Sequence, residues 1–455
     1  MASAERRVIR ATSWLVAGRI YAALCALISA WILAQVLELA DLGRFAFYVA
    51  VIALLKSFGD FGTGQLLVQR TAHDESSIPL ELSAARRIRA VTSLVGALLV
   101  SLYFWLSGAS DPAWLFLAAL HPLTYLLELT STVYKNRVAW AVPVAARTFA
   151  STMVLVTVWS LAKGGCTRPA VFLAAQVGCH LIANIGLHLA ARKHLTPHPG
   201  GPIPWRPLLV AALPLGAAAF CQQAYHHADN FLITRLLTHE DLGLYSIAFR
   251  FLSFGIMVAL FATTAALPLL SRAHREGELA AAHARYLRPL TLGAGIACGL
   301  AYAWCDEVLG LFGPEFPQAV DAMHWMLISC LAIHFGAVNM TSLVACGRTK
   351  AVLRIALSGL VLDLGLNFFL LPRLGIEGAG LARAATELFV AGAARIALTR
   401  CNVPLNFFSA LRSLLLISAL FAAGVTLSPH LPLDGVFDSL HGLIDDFTPT
   451  HGFSD

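Results

Sequence analysis

Charge is scarce in this sequence. Asp, Glu, Lys and Arg make up 13% of its 455 residues, whereas soluble domains carry about 25%. Apolar residues reach 58%, and the mean hydropathy is +0.72. A water-soluble enzyme of this composition would have nowhere to bury its apolar surface. Disorder, collagen and coiled coil are excluded too, because each needs more charge or a strict repeat. Motifs of soluble chemistry are missing as well. There is no GxxxxGK[ST] phosphate loop, no HExxH and no GxSxG elbow. Nine cysteines are scattered, most of them in apolar runs, without a CxxC spacing, so they read as small buried hydrophobes. Neither cofactor nor metal is expected. No stretch outside the apolar runs is long enough for a catalytic domain, so the chain reads as something other than an enzyme.

What is present is a succession of apolar runs of membrane-spanning length, about 20 residues each. Bounded by charge, Pro or Gly, they fall at 11–37, 45–69, 88–108, 112–134, 138–162, 169–191, 208–237, 243–271, 286–305, 319–345, 351–371 and 376–400. A further run at 407–428 is long enough for a thirteenth span. The expected fold is an all-α polytopic membrane protein of about 12–13 transmembrane helices. Basic residues set the orientation. Alternate segments, starting with the N-terminus, hold 22 Lys and Arg, and the opposite loops hold 5. The net charge of +6 is therefore a topology signal and not a nucleic-acid footprint, and it predicts a cytoplasmic N-terminus. The tail beyond 428, with Asp434, Asp438, Asp445, Asp446 and Asp455, is acidic.

The two halves repeat. Asp41-Leu42-Gly43 and Asp241-Leu242-Gly243 stand 200 residues apart, each after the first span of its half. Six spans per copy is an even number, so the copies share one orientation and are related by a pseudo-two-fold axis along the membrane normal. The expected organisation is an N-terminal lobe at 1–191, a Pro/Gly-rich cytoplasmic linker at 192–207 and a C-terminal lobe at 208–400. Residues 401–455 would hold the thirteenth span and acidic tail. Two six-helix lobes joined by such a strap are a transporter layout.

Ionisable groups within spans are costly, so they face a bundle interior or a wet cavity. Ten do so here: Arg19, Lys56, Asp60, Glu128, Arg147, Asp229, Arg250, Asp363, Arg383 and Glu387. Matched depth on consecutive helices pairs Asp229 with Arg250 and Glu128 with Arg147, while Arg19 and Lys56 share Asp60. The first lobe is left with one cation in excess, drawn from Arg19, Lys56 and Arg147, suited to an anionic head group. The second is left with one carboxylate in excess among Asp229, Arg250, Asp363, Arg383 and Glu387, suited to a proton or a sodium ion. Uncharged rows support a wet interior: Gln176, His180, Asn184 and His188 in the sixth span, and Gln222, His226 and Asp229 in the seventh.

Several ordered segments carry a family resemblance. These are Asp41-Leu42-Gly43-Arg44-Phe45, the stretch from Asp229 through Asp241-Leu242-Gly243-Leu244-Tyr245 to Arg250, and Leu267-Pro268-Leu269-Leu270-Ser271-Arg272. Then follow Leu311-Phe312-Gly313, Ala345-Cys346-Gly347-Arg348-Thr349-Lys350, Asn367, and Leu374-Gly375-Ile376-Glu377-Gly378. Together they resemble the oligosaccharide (O-antigen type) flippases of polysaccharide biosynthesis, in the superfamily that also holds multidrug-extrusion transporters and peptidoglycan lipid flippases. Gln35 departs from that pattern, standing where the family often has arginine. The resemblance implies a flippase in the bacterial inner membrane that moves an undecaprenyl-pyrophosphate-linked oligosaccharide by alternating access. Its implied partners are that lipid-linked oligosaccharide, the bilayer, a coupling proton or sodium ion, and glycan polymerase or assembly proteins. The alternative within the superfamily is a drug or organic-cation antiporter.

Overall fold

A computed structural model describes residues 2–71, 77–106, 124, 126–136, 139–195, 205–401 and 403. The described residues are helical throughout, and no strand occurs among them. The elements are α1 (Ala2–Val36), α2 (Leu39–Asp60), α3 (Thr63–Thr71), α4 (Ile78–Leu106), α5 (Thr132–Asn136), α6 (Ala141–Lys163) and α7 (Pro169–Arg192). After these come α8 (Trp205–Leu236), α9 (His239–Arg275), α10 (Leu279–Ala303), α11 (Cys305–Gly310), α12 (Val320–Ala345) and α13 (Thr349–Leu398). Backbone groups in a bilayer must be satisfied within the segment, which is why apolar runs of this length become helices.

Seven helical segments among the described residues are long and apolar enough to cross a membrane. One of them, Thr349–Cys401, holds two of the expected spans. It breaks at Gly375, whose φ of 60° and ψ of −143° only glycine adopts readily. The expected span at 45–69 likewise divides, into α2 and α3, at Phe61 and Gly62. Most of the span expected at 112–134, residues 196–204 of the linker, the run at 407–428 and the acidic tail lie outside the described residues.

The repeated Asp-Leu-Gly triplets have a structural reading. α1 ends at Val36 and α8 at Leu236, and α2 and α9 begin at Leu39 and His239, so the helix boundaries repeat the 200-residue offset. Each Asp lies in the first turn of its helix, where a carboxylate opposes the positive end of the helix dipole. Asp241 closes a capping box. Its backbone N–H donates to the Thr238 hydroxyl at 3.1 Å, and its carboxylate accepts from the Thr238 N–H at 3.1 Å. Asp41 instead pairs with Arg44 at 2.8 Å. Leu42 and Leu242 are buried in both copies.

The chain separates into two compact units, Met1–Ala228 and Asp229–Asp455, the division falling within α8. In the first unit, α1 packs along α6, α6 along α7, and α2 along α4 and α7. In the second, α12 packs against α9, α10 and α13. Large apolar side chains are exposed along the helices, among them Trp105, Val210 and Val361. On a soluble protein that would be an aggregation surface, whereas here it is the face offered to lipid.

Candidate functional site

The first unit encloses a cavity of about 370 Å³. Arg19 on α1, Lys56 on α2 and Arg147 on α6 all line it, so the three cations singled out in the sequence come together. Lys135 on α5 adds a fourth, and Glu128 is the carboxylate among the lining residues. His180 and Asn184 of the polar row on α7 form part of the wall. Asn184 donates to the Thr124 carbonyl at 3.0 Å, and His188, one turn on, meets Arg86 at 3.2 Å. That row thus faces the interior of the unit. Gly18 lets α1 approach closely, since a Cβ there would lie 2.4 Å from Val144 Cγ1 on α6.

The ion pairs differ from the expected ones. Lys56 meets Glu128 at 3.6 Å, and Asp60 pairs with Arg89. Asp60 is therefore not shared between Arg19 and Lys56. The reason is the packing of α2 on α4. Gly59 has no side chain, so Ser93 of α4 fits against it, its Oγ 2.5 Å from where a Cβ would be. Arg89, one turn before Ser93, then faces Asp60. Arg89 was not among the ten ionisable groups singled out in the spans, yet its side chain is buried.

The break between α2 and α3 holds Asp60 in place. Phe61 takes a left-handed φ of 45°, and its N–H caps the Ser57 carbonyl at 3.2 Å. Gly62 follows with φ +74°, pressed so closely on α8 that a Cβ would lie 2.6 Å from the Gly216 nitrogen. At the start of α3, the Gly64 N–H donates to the Asp60 carboxylate at 3.2 Å. Residues with strained backbone persist where the surroundings over-determine them.

In the second unit, Asp229 is the centre of a buried network. Its Oδ2 accepts from the Tyr245 hydroxyl at 2.5 Å and from Arg383 Nη2 at 2.6 Å and Nε at 3.2 Å. Its Oδ1 accepts from Asn367 Nδ2 at 3.0 Å. The expected Asp229–Arg250 pair is replaced by Asp229–Arg383. No hydrogen bond joins Arg250 to Asp229 among the described residues, and Arg250 Nε is buried without a partner there. Arg383 lies over the Phe249 ring at 5.8 Å, and Tyr245 stacks on Phe249. Tyr245 and Asn367 appear in the family-like segments but were not read as members of an ion-pair network.

Asp363 lies one helical turn before Asn367 and is fully buried. Neither of its carboxylate oxygens has a hydrogen-bond partner among the described residues, nor do Asn367 Oδ1 and Thr386 Oγ1. Glu387 sits one turn beyond Arg383 on α13. No group of three or more His, Cys, Asp or Glu among the described residues could hold a metal.

Comparison with known proteins adds a family and a fold. Residues 8–274 match the family model described as polysaccharide biosynthesis protein, and residues 214–369 match the MatE model. No curated protein sequence matches the chain. Among solved structures, the lipid II flippase MurJ in an inward closed conformation is 12% identical with a TM-score of 0.69, covering 90% of this chain and 98% of that one. A multidrug resistance MATE family transporter of the MOP superfamily, inward-facing, is 15% identical at TM-score 0.67, over 84% of this chain and 95% of that one. The Vibrio cholerae MATE transporter VcmN, as a mutant, is 16% identical at 0.60, over 91% and 99%. At these identities the likeness is one of fold, and the all-α transporter architecture expected from the sequence is the one observed.

Proposed function

The chain belongs to the polysaccharide biosynthesis protein family, and from that membership we propose that it flips an undecaprenyl-pyrophosphate-linked oligosaccharide across the bacterial inner membrane. It is a multi-pass transporter of the MOP superfamily rather than an enzyme. The observation that carries the cargo reading is the shared cavity of Arg19, Lys56, Lys135 and Arg147, opposed by Glu128. A pyrophosphate does not cross hydrocarbon bare, because burying an uncompensated anion costs far more than a transporter can supply. Clustered cations in a sheltered cavity supply what water otherwise would, and charge-assisted bonds to phosphate are the strong ones. The lipid tail stays in the bilayer, and no covalent bond changes.

Movement proceeds by alternating access between the lobes expected at 1–191 and 208–400, with the N-terminus in the cytoplasm. Coupling to a proton or sodium ion is assigned to the second unit, where the Asp363 carboxylate is buried without a hydrogen-bond partner among the described residues, beside the Asp229–Arg383 pair. Glycan polymerase or assembly proteins would receive the cargo on the far side. The MatE match and the buried Asp363 favour a second reading, an organic-cation antiporter. The cationic cavity opposes it, since it would repel such a cargo.

The test is surface glycan restored in a flippase-null strain, with the amount of each variant in the membrane measured alongside. Arg19→Ala and Lys56→Ala should reach the membrane normally and restore less glycan. Lys56→Arg should retain more function than Lys56→Gln, because charge is what the phosphate requires. Full restoration by both alanine variants would remove the cavity from cargo binding.

A further inference from the structure

One face of α13 is exposed along the first half of that helix, and its side chains are ordered by kind. Lys350, Arg354, Leu357, Val361, Leu364 and Phe368 follow one another at intervals of four and three, so they form a single stripe. All six are exposed, the four apolar ones at 42%, 71%, 41% and 60%. The opposite face is the packed one. Val352 and Ile355 join a buried cluster with Leu343 and Leu398, and Asp363 and Asn367 are buried in the interior of the unit.

The stripe changes character along its length. From Leu357 to Phe368 it is apolar over about 16 Å, near half the thickness of a hydrocarbon core. Before Leu357 it is cationic. Lys350 and Arg354 stand one turn apart, and Arg348 precedes them at the N-cap. Arg354 Nε donates to the Lys350 carbonyl at 3.3 Å, which folds the guanidinium back toward the start of the helix and away from the apolar part. None of the three cations has an ion pair among the described residues. The sequence supplies no acid nearby either, since no Asp or Glu occurs between Asp321 and Asp363. Arg272, exposed at the end of α9, is by contrast answered by Glu276 at 2.8 Å.

Two unanswered cations therefore stand in line with a lipid-facing row. A free phosphate would use the cations and leave the row uncovered. A zwitterionic lipid brings its own cation, which these two repel. An anionic phospholipid satisfies both parts, through charge-assisted bonds to its phosphate and apolar contact with its tail. We propose that this stripe binds one anionic phospholipid of the leaflet in which α13 begins, its phosphate between Lys350 and Arg354 and an acyl chain along Leu357, Val361 and Leu364. The site lies on the back of the helix that carries Asp363 and Asn367, so its occupant bears on the element that positions them. It is independent of the cargo assigned to the first unit.

Native mass spectrometry of the full-length protein in a neutral detergent tests the site. The probes are dioleoyl phosphatidylglycerol, dioleoyl phosphatidylcholine and glycerol 3-phosphate. The unmodified protein should hold one phosphatidylglycerol about tenfold more tightly than phosphatidylcholine. Lys350→Gln combined with Arg354→Gln should erase that preference and leave phosphatidylcholine binding unchanged. Both residues are exposed, so the variant should keep its fold, which thermal unfolding in the same detergent verifies. Arg285→Gln combined with Arg288→Gln removes two exposed cations from α10 and should keep the preference. The site is refuted if the unmodified protein shows no preference, or if the Lys350 and Arg354 variant retains it. Loss of the preference in the α10 variant would also refute it, by showing a diffuse basic surface. Displacement of the lipid by equimolar glycerol 3-phosphate would do the same, by showing a phosphate site to which the apolar row is irrelevant.

Discussion

Arg383 reaches Asp229 with two nitrogens, at 2.6 and 3.2 Å, across 154 positions of sequence, and both side chains are buried. Tyr245 and Asn367 complete the carboxylate's hydrogen bonds, so the charge is held by three helices at once. Removing one partner leaves a buried charge without its counterpart, at about 3–5 kcal/mol. Asp229→Ala and Arg383→Ala should each lower thermal stability in detergent by that amount. The double variant should lose clearly less than the sum. Asp229→Ala combined with Arg250→Ala should instead be additive within about 0.5 kcal/mol, as for groups that share no partner.

The sequence made the members of the site visible but not their pairing. Charged residues in apolar runs stand out because hydrocarbon tolerates so few of them, and that marked Arg19, Lys56, Arg147 and Asp229. Depth along a helix also reads from sequence. It could not choose between Arg250 and Arg383, which lie at a similar distance from the same membrane face, and adjacency in sequence favoured the wrong one. Choosing correctly requires knowing that the second half of α13 packs on the helices that carry Asp229 and Tyr245. The same blindness left Arg89 out of the ionisable groups singled out, although it stands at the edge of the 88–108 run, because α4 begins at Ile78, well before that run. The repeat was legible because a first-turn carboxylate and a buried leucine recur at the same helix start in both halves.

Gly216 of α8 receives the backbone of the α2–α3 break. A Cβ there would lie 2.5 Å from the Phe61 carbonyl carbon, and backbone cannot step aside as a side chain tip can. Gly216→Ala should therefore destabilise the protein by about 1–3 kcal/mol, the usual cost of overpacking. Gly186 on α7 is the control, because among the described residues nothing lies within 4 Å of its would-be Cβ. There Ala should be neutral or stabilising by up to about 1 kcal/mol, through helix propensity alone. Thermal unfolding of the two variants side by side reads the difference.

His283, at the start of α10 ahead of its span, is buried with Nδ1 3.0 Å from Ser342 Oγ. Burial first, then the nearby Arg395, push its pKa down to about 4. An unfolded histidine titrates near 6.5. As the pH falls through the window from about 6.5 to about 4, the unfolded chain takes up a proton that the folded one refuses. The stability that the neutral ring contributes is complete above the upper value and is lost progressively toward the lower one. The loss amounts to about 3 kcal/mol at most, from the size of the shift. His283→Gln should flatten this part of the stability profile between pH 6.5 and 4. An unchanged slope would show that other groups carry the acid sensitivity.

Glu128 meets Lys56 at 3.6 Å in the cationic cavity, and both side chains keep partial access to solvent, at 39% and 48%. A pair so exposed adds little to folding, since solvent screens it and the long side chains lose freedom in forming it. Its carboxylate nevertheless opposes any anion in the cavity and competes with that anion for Lys56. Glu128→Gln removes both effects at nearly constant volume. The variant should fold as the unmodified protein does and bind inorganic pyrophosphate more tightly, on the order of tenfold for one unit of repulsion relieved in a wet cavity. Raising the salt concentration should narrow the gap, because screening weakens the repulsion that the substitution removes. Glycan transport should not improve in parallel, because a cargo held more strongly leaves more slowly. Tighter binding with slower export would identify Glu128 as the group that keeps the cavity's grip reversible. Weaker pyrophosphate binding by the variant would mean that the carboxylate positions Lys56 for the anion instead of opposing it.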